Sequence, residues 1–262
     1  MKHSLRTIIA LCLTVFAICA NASNAPAITH RFPNETLNYK VMYKWGLVHK
    51  QAGRATLTIR NINEHYHTQL TARSANWADR FFKVRDTLQG TIVRETFKPL
   101  VYVKKAHEGS DHKHDMVRYS YKGAKTIGEC QRYKWDEKGK MTRNEKRTLE
   151  AYGTTVDMLS SFYYMRALPY QSWKPGHVVS MNIYSGKRKE VLTIKYIGTD
   201  KVKTDLGTYP AYHIRFTFTG EGGKKTSDDM DAWISSDAKR IPVKLEGKLK
   251  VGKVQCFFTG ES

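Results

Sequence analysis

The histidine-rich segment HEGSDHKHD, residues 107–115, is the stretch whose residue types most suggest metal chemistry. In an extended strand, His112 and His114 would face the same side, and Asp111 or Asp115 would supply a third ligand of the kind that binds zinc or copper. A polar connection between two strands has the same composition, and short motifs of this type are weak indicators. We therefore name His112 and His114 as candidate ligands but predict that the chain binds neither metal nor cofactor.

Acidic and nucleophilic residues elsewhere have simpler structural interpretations. The chain has no G-x-S-x-G elbow and no H-E-x-x-H motif. Asp157 and Arg166 stand at the start and end of a predicted helix, where each charge suits the helix dipole. The acidic group DDMD, residues 228–231, lacks the glycine turn and distal glutamate of a calcium loop. We predict no catalytic residue and no enzymatic activity.

Aromatic residues beside arginines give the best candidate for a binding site. The chain has 15 tyrosines, 10 phenylalanines and 5 tryptophans, most of which are expected to pack in a β-rich core. One cluster combines rings with cations and would suit the rim of a groove for an apolar ligand with an anionic head. Its members are Arg73, Trp77, Arg80, Phe81, Phe82 and Arg85.

A helix predicted over residues 154–168 is the element around which the rest is organised. Thr154 or Thr155 is expected to cap it, and Pro169 ends it at Leu168. Its apolar face is too wide for a helix that faces solvent, so we expect burial on most sides. Two helical series make up this face: Val156, Leu159, Tyr163 and Arg166, and Met158, Phe162 and Met165.

Alternating apolar and polar residues predict strands through most of the remaining chain. LNYKVMYKW, RATLTIR and YHTQLTAR form the first meander, and strand signals recur at short intervals to the C-terminus. The predicted fold is mainly β: one or more curved antiparallel sheets, as an open barrel or a sandwich, around the central helix. We expect a signal peptide at 1–22, a loose lead-in at 23–36 and a single β-rich domain at 37–262.

The N-terminus and the charge indicate compartment and partners. Lys2 and Arg6 precede an apolar segment too short to span a bilayer, followed by the small-residue cleavage pattern Ala20-Asn21-Ala22. The net charge is +20, and cleavage after residue 22 would remove two basic and no acidic residues, leaving +18. We therefore expect a soluble periplasmic protein whose partners are anionic lipid, lipopolysaccharide or an envelope protein, rather than nucleic acid. Cys130 and Cys256 would remain, as a disulfide or as free thiols.

Three segments in combination resemble a known family: LNYKVMYKWGLVHKQAGRATLTI, TVDMLSSFYYMRAL and DAWISSDAKRIPVKLEGKLKVGKV. They are similar to exported bacterial proteins of the domain of unknown function 3108 family. The resemblance implies no activity and no catalytic residue. It implies structural roles for two motifs, made up of Asp157, Leu159, Tyr163 and Arg166 in the helix and Trp233, Asp237, Arg240 and Pro242 at a hairpin.

The last segment also resembles a hairpin of LolA-type and LolB-type lipoprotein carriers, whose open half-barrels hold acyl chains. This chain offers less helix to cover its sheet than those carriers have. Taken with the charge and the aromatic residues, the sequence favours a non-enzymatic periplasmic binding or carrier module for an anionic amphiphile. The alternative is an envelope scaffold that binds a protein or an acidic glycan through a basic face.

Overall fold

Fifteen strands dominate the computed structural model, which describes residues 28, 30–81, 83–220, 223–249 and 251–262. Two α-helices accompany them within this part of the chain, α1 (Asn76–Asp79) and α2 (Met158–Ala167), and a 3₁₀ turn follows α2 at Tyr170–Ser172. The strands are β1 (Glu35–Trp45), β2 (Val48–Ile62), β3 (His65–Ser74), β4 (Val84–Val93), β5 (Pro99–Glu108), β6 (Asp111–Lys122), β7 (Lys125–Trp135), β8 (Met141–Tyr152), β9 (Thr155–Val156), β10 (Val178–Tyr184), β11 (Lys189–Thr204), β12 (Gly207–Thr219), β13 (Met230–Ser235), β14 (Pro242–Lys248) and β15 (Lys253–Glu261).

All of these strands belong to one nearly closed, barrel-shaped sheet. Neighbours in the chain are neighbours in the sheet from β1 to β8 and from β9 to β15, and β1 pairs with β15 to join the two runs. Every pairing is antiparallel except that of β9 with β10. The prediction of a mainly β, curved antiparallel sheet around one helix is confirmed, and the sheet is single rather than a two-sheet sandwich.

The inner face of the sheet carries the apolar residues of each alternating strand. On β12, Ile214 and Phe216 are buried, while Arg215 between them is exposed. On β11, Leu192 and Ile194 are fully buried in the same way. Because successive side chains of a strand point to opposite faces, this alternation alone fixes which face of each strand lines the interior.

Helix α2 begins later than the sequence pattern predicts, and a different residue caps it. Asp157 is the N-cap: its carboxylate accepts hydrogen bonds from the backbone N–H groups of Leu159 (2.7 Å) and Ser160 (2.8 Å). Ser160 Oγ in turn accepts from the Asp157 N–H at 2.9 Å, which completes a capping box. The prediction that Thr154 or Thr155 caps the helix is wrong, because Thr155 is extended in β9 and pairs with β10.

The interior of the barrel holds α2, which packs against β3, β4 and β10. Leu159 is fully buried on this side, and the Tyr163 hydroxyl donates to the Thr58 carbonyl at 2.9 Å. Within the described residues, no helix is long and apolar enough to cross a membrane.

The loose lead-in expected over 23–36 lies only partly within the described residues, and the described part contacts the barrel. Phe32 is buried, with its backbone N–H donating to the Tyr66 hydroxyl at 3.1 Å, and Glu35 already belongs to β1. The predicted signal peptide at 1–22 lies outside the described residues. Cys130 on β7 and Cys256 on β15 are both free thiols, so the structure adopts the unpaired alternative.

Candidate binding site

An apolar cleft of about 380 Å³ lies between α2 and strands β12–β14. We call it the inner cleft. Helix α2 packs against β3, β4 and β10, and the helix face directed at β12–β14 is left incompletely covered. Its apolar lining consists of Met158, Phe162, Met165, Phe216, Phe218, Met230 and Leu245.

The lining of the inner cleft suits a flexible apolar ligand. Three of its side chains are methionines, which are unbranched and adapt to irregular shapes. Phe162, which the helical pattern placed on a buried face, is only partly buried because it borders this opening. The cleft falls within the size range of small-molecule sites, at its lower end.

The rim of the inner cleft is polar and carries ion pairs. Glu190, Thr226 and Ser227 line the opening. Arg188 pairs with Glu190 at 2.9 Å, and Thr226 hydrogen-bonds the same carboxylate. Lys225, beside the rim, pairs with Asp229 at 2.8 Å. An anionic headgroup at this rim would compete with these carboxylates for the two cations.

Arg166 forms a buried junction at the other end of α2. Its guanidinium is fully buried and makes a two-point ion pair with Glu35 on β1, one arm of which measures 3.0 Å. It also donates to the carbonyls of Arg240 (2.8 Å) and Lys239 (3.1 Å), and it stacks over the Phe32 ring at 4.3 Å. Arg166 thus lies in the last turn of α2, as the sequence predicts, and also links the helix to β1 and to the β13–β14 turn.

The motif residues of the β13–β14 hairpin shape the turn that Arg166 contacts. Asp237 accepts hydrogen bonds from the Ser235 hydroxyl (2.7 Å) and from the Lys239 and Arg240 N–H groups (3.0 and 3.2 Å). Arg240 adopts a positive φ of 52°, and Pro242 starts β14 directly after the turn. The two motifs, distant in sequence, thus meet at one structural junction.

Trp233 lies on the other face of the same hairpin, away from the inner cleft. Its indole N–H donates to Asp200 at 3.0 Å, and its ring stacks on His213 with centroids 4.4 Å apart. Lys244 Nζ lies 4.0 Å from the ring centroid. These contacts cover the ring and tie β13 to β11, β12 and β14.

Four of the six predicted groove residues line two adjoining clefts beside α1. A basic cleft of about 700 Å³ includes Arg73, Trp77 and Arg85 in its lining, together with Lys50 and Arg54. An apolar cleft of about 520 Å³, which we call the end cleft, includes Trp77 and Phe81. The two rings meet edge to face with centroids 6.3 Å apart.

Two of the described groove residues differ from the rest. Arg85 is engaged in an ion pair with Asp79 at 2.6 Å, so its charge is already matched. Arg80 is exposed and lines neither cleft, and Phe82 lies outside the described residues.

The histidine-rich segment spans the β5–β6 hairpin. The His112 ring stacks on His107 with centroids 3.9 Å apart, while His114 approaches Tyr133 at 6.2 Å. Asp115 is buried and pairs with Arg132 at 3.2 Å. In the described part of the chain, no three His, Cys, Asp or Glu side chains gather in a way that would hold a metal ion.

The strand residues of the inner cleft were not predicted from the sequence. Phe216, Phe218 and Leu245 occupy ordinary inward positions of alternating strands, and alternation does not distinguish a packed position from one beside a cleft. The three methionines Met158, Met165 and Met230 are the only signal in the sequence, and their proximity depends on the fold.

The sequence matches a family model described as protein of unknown function (DUF3108) over residues 38–259. The chain belongs to this family. No curated protein sequence matches it significantly. The match spans both the helix motif and the hairpin motif that meet at Arg166, which confirms the family resemblance inferred from those segments. The local resemblance to LolA-type and LolB-type carriers stays a prediction.

One solved structure from another family supports the fold of this DUF3108 protein, and a second gives a weaker superposition. A β-barrel-like protein of domain of unknown function DUF1849 from Brucella abortus superposes with a TM-score of 0.65 at 10% identity, covering 89% of this chain and 99% of that one. A protein with a YmcC-like fold from Bacteroides fragilis gives a TM-score of 0.40 at 7% identity, covering 90% and 100%. The first likeness establishes the fold alone.

Proposed function

We propose that this DUF3108 protein is a non-enzymatic, periplasmic binding or carrier module for an anionic amphiphile such as a lipid, a lipoprotein acyl chain or lipopolysaccharide. The observation that carries the proposal is the inner cleft, a methionine-rich and phenylalanine-rich opening between α2 and β12–β14. Each CH₂ group of an acyl chain buried there would contribute about 0.8 kcal/mol.

The charge of the chain supports the anionic part of the ligand. The net charge of +20 favours anionic partners in general. At the rim, Arg188 and Lys225 are the cations that a phosphate or carboxylate headgroup would reach first. This contact would weaken with salt, whereas burial of the acyl chain would not.

Two features of the sequence support export and the absence of catalysis. The N-terminal segment has the basic, apolar and small-residue pattern of a signal peptide. The chain lacks the serine-elbow and zinc-protease motifs described above. A periplasmic carrier needs neither a nucleophile nor a metal.

Native mass spectrometry with lipid extraction, on protein purified from its own envelope, tests the proposal. We expect a co-purified amphiphile. Leu245→Trp, which enlarges an inward side chain of β14 in the inner cleft, should abolish this adduct while the protein stays folded. The matched control is Leu206→Trp, because Leu206 is exposed in the β11–β12 turn and lies outside the cleft.

A clean apo mass from the native envelope would overturn the carrier proposal and favour the alternative, an envelope scaffold with a basic face. An adduct that survives Leu245→Trp would mean that the amphiphile binds elsewhere, and the inner cleft would lose its assigned role.

A further inference from the structure

Exposed apolar side chains concentrate at one end of the barrel. The described residues include eleven large apolar side chains that are exposed, and six of them lie in or next to the β1–β2 turn, the β14–β15 turn and the segment after α1. We call them the end surface. They are Trp45, Leu47, Val48, Phe81, Leu249 and Val251.

Strand pairing places these turns side by side. Because β1 pairs with β15, with Lys44 opposite Lys253, the β1–β2 and β14–β15 turns emerge next to each other. The Tyr43 hydroxyl donates to the Val251 carbonyl at 3.1 Å. A Cβ at Gly252 would overlap the Lys44 carbonyl oxygen, so the absence of a side chain there permits the close approach of the two turns.

Helix α1 is fixed beside the same turns. The Trp77 indole N–H donates to the Gln51 carbonyl at 2.7 Å, and the Ala75 N–H donates to the Ala52 carbonyl at 2.7 Å. These hydrogen bonds fix the position of α1, and Phe81, which directly follows it, is 83% exposed. The end cleft has Trp45, Val251, Trp77 and Phe81 in its lining and therefore connects the three segments.

Cations lie around the end surface, and the carboxylates of Glu246 and Asp79 nearby already form ion pairs. Glu246 pairs with Lys253 at 2.7 Å, and Asp79 pairs with Arg85 at 2.6 Å. Five further cations around the end surface and the adjoining basic cleft have no ion pair with any other described residue. These are Lys44, Lys50, Arg54, Arg73 and Lys248.

We propose that the end surface docks the protein onto an anionic phospholipid membrane. Tryptophan favours the headgroup region of a bilayer, and lysine and arginine near the surface are attracted to anionic headgroups. The apolar residues stand on separate protruding turns, of which Leu47 is fully exposed. A fluid lipid surface accepts such separate side chains individually, whereas a protein partner would need a matching pocket for each turn.

The docking proposal goes beyond amphiphile binding in the inner cleft and does not depend on it. The end surface lies at the β1–β2 and β14–β15 turns, and none of its six residues lines the inner cleft. Variants can therefore test the two sites separately.

Vesicle co-sedimentation of protein purified after export provides the test. Vesicles of phosphatidylcholine with phosphatidylglycerol should bind the protein, and phosphatidylcholine alone should bind it more weakly. The double variant Trp45→Ser, Leu47→Ser should weaken binding at least about tenfold, because two apolar side chains no longer insert. Lys44→Gln with Lys248→Gln should weaken binding and reduce its dependence on salt.

The matched control is Leu206→Ser. Leu206 is exposed in the β11–β12 turn, which the strand directions place at the opposite end of the barrel. This control variant should bind like the wild-type protein, and so should the cleft variant Leu245→Trp. The proposal would be overturned if the wild-type protein bound neither vesicle, or if Leu206→Ser reduced binding as much as the end-surface variant. It would also fail if the end surface instead mediated self-association, seen by size-exclusion chromatography as dimers that the Trp45→Ser, Leu47→Ser variant loses.

Discussion

The two sides of α2 differ in how completely the barrel buries them. Toward β3 and β4, Leu159 and Tyr163 are fully buried, and Tyr163 donates a hydrogen bond to the sheet. Toward β12–β14, Met158 and Phe162 are only partly buried and border the inner cleft. The packed side of α2 contributes to stability, and the open side borders the inner cleft that we propose as the ligand site.

The strongest test of the packed side is the Arg166–Glu35 pair. Glu35→Ala should cost about 3–5 kcal/mol of unfolding free energy, because it leaves the fully buried Arg166 guanidinium without its carboxylate. Urea denaturation measures the change. Glu64→Ala is the control, since Glu64 is exposed and lies 3.9 Å from Arg94 in a surface pair worth at most about 1 kcal/mol. Similar losses for both variants would contradict the assignment of Arg166 as the buried junction.

Truncations on the two sides of the helix compare them directly. Leu159→Ala should cost about 2–5 kcal/mol, because its side chain is fully buried. Phe162→Ala should cost well below the roughly 3–5 kcal/mol of a fully buried phenylalanine, because Phe162 borders the inner cleft. If the phenylalanine variant were the less stable of the two, the inner cleft would not be open in solution.

The helix cap predicts a dependence on pH that a single substitution should remove. Burial raises the pKa of Asp157 from 3.8 to about 6, although the capping hydrogen bonds act in the opposite direction. The folded protein therefore binds more protons than the unfolded chain between these values. This contribution to stability is fully present below about pH 4 and is lost as the pH rises through about 6, by at most about 3 kcal/mol.

Asp157→Asn keeps a good capping residue and removes the charge. The unfolding free energy of the wild-type protein should therefore rise relative to that of the variant as the pH falls from 7 toward 4, because only the wild-type side chain takes up a proton. Using the difference cancels other titrating groups, including Asp86, whose pKa burial also raises to about 6. A difference that stays constant with pH would show that Asp157 does not titrate in this range.

Helix α2 shows both where sequence reasoning succeeds and where it fails. Pro169 ends α2 close to the predicted residue because its ring disfavours helix in the residue before it. The start is later because Thr155 pairs with β10, a contact that no local pattern contains. The same limit applies to Arg166. The sequence predicts its position near the helix end, but it does not predict the ion pair with Glu35, which is 131 residues away.

The sequence by itself determined the class of fold, the position of the helix and the family, because side-chain alternation, helical spacing and proline are local signals. It also placed Trp77 and Phe81 near cations, since those residues are close in the chain. Only the tertiary structure decided that Met158, Met230 and Leu245 border one cleft, and that Trp45 and Val251 meet at one end of the barrel. Those neighbours are set by the packing of α2 against β3, β4 and β10 and by the pairing of β1 with β15, the first and last strands of the sheet in chain order.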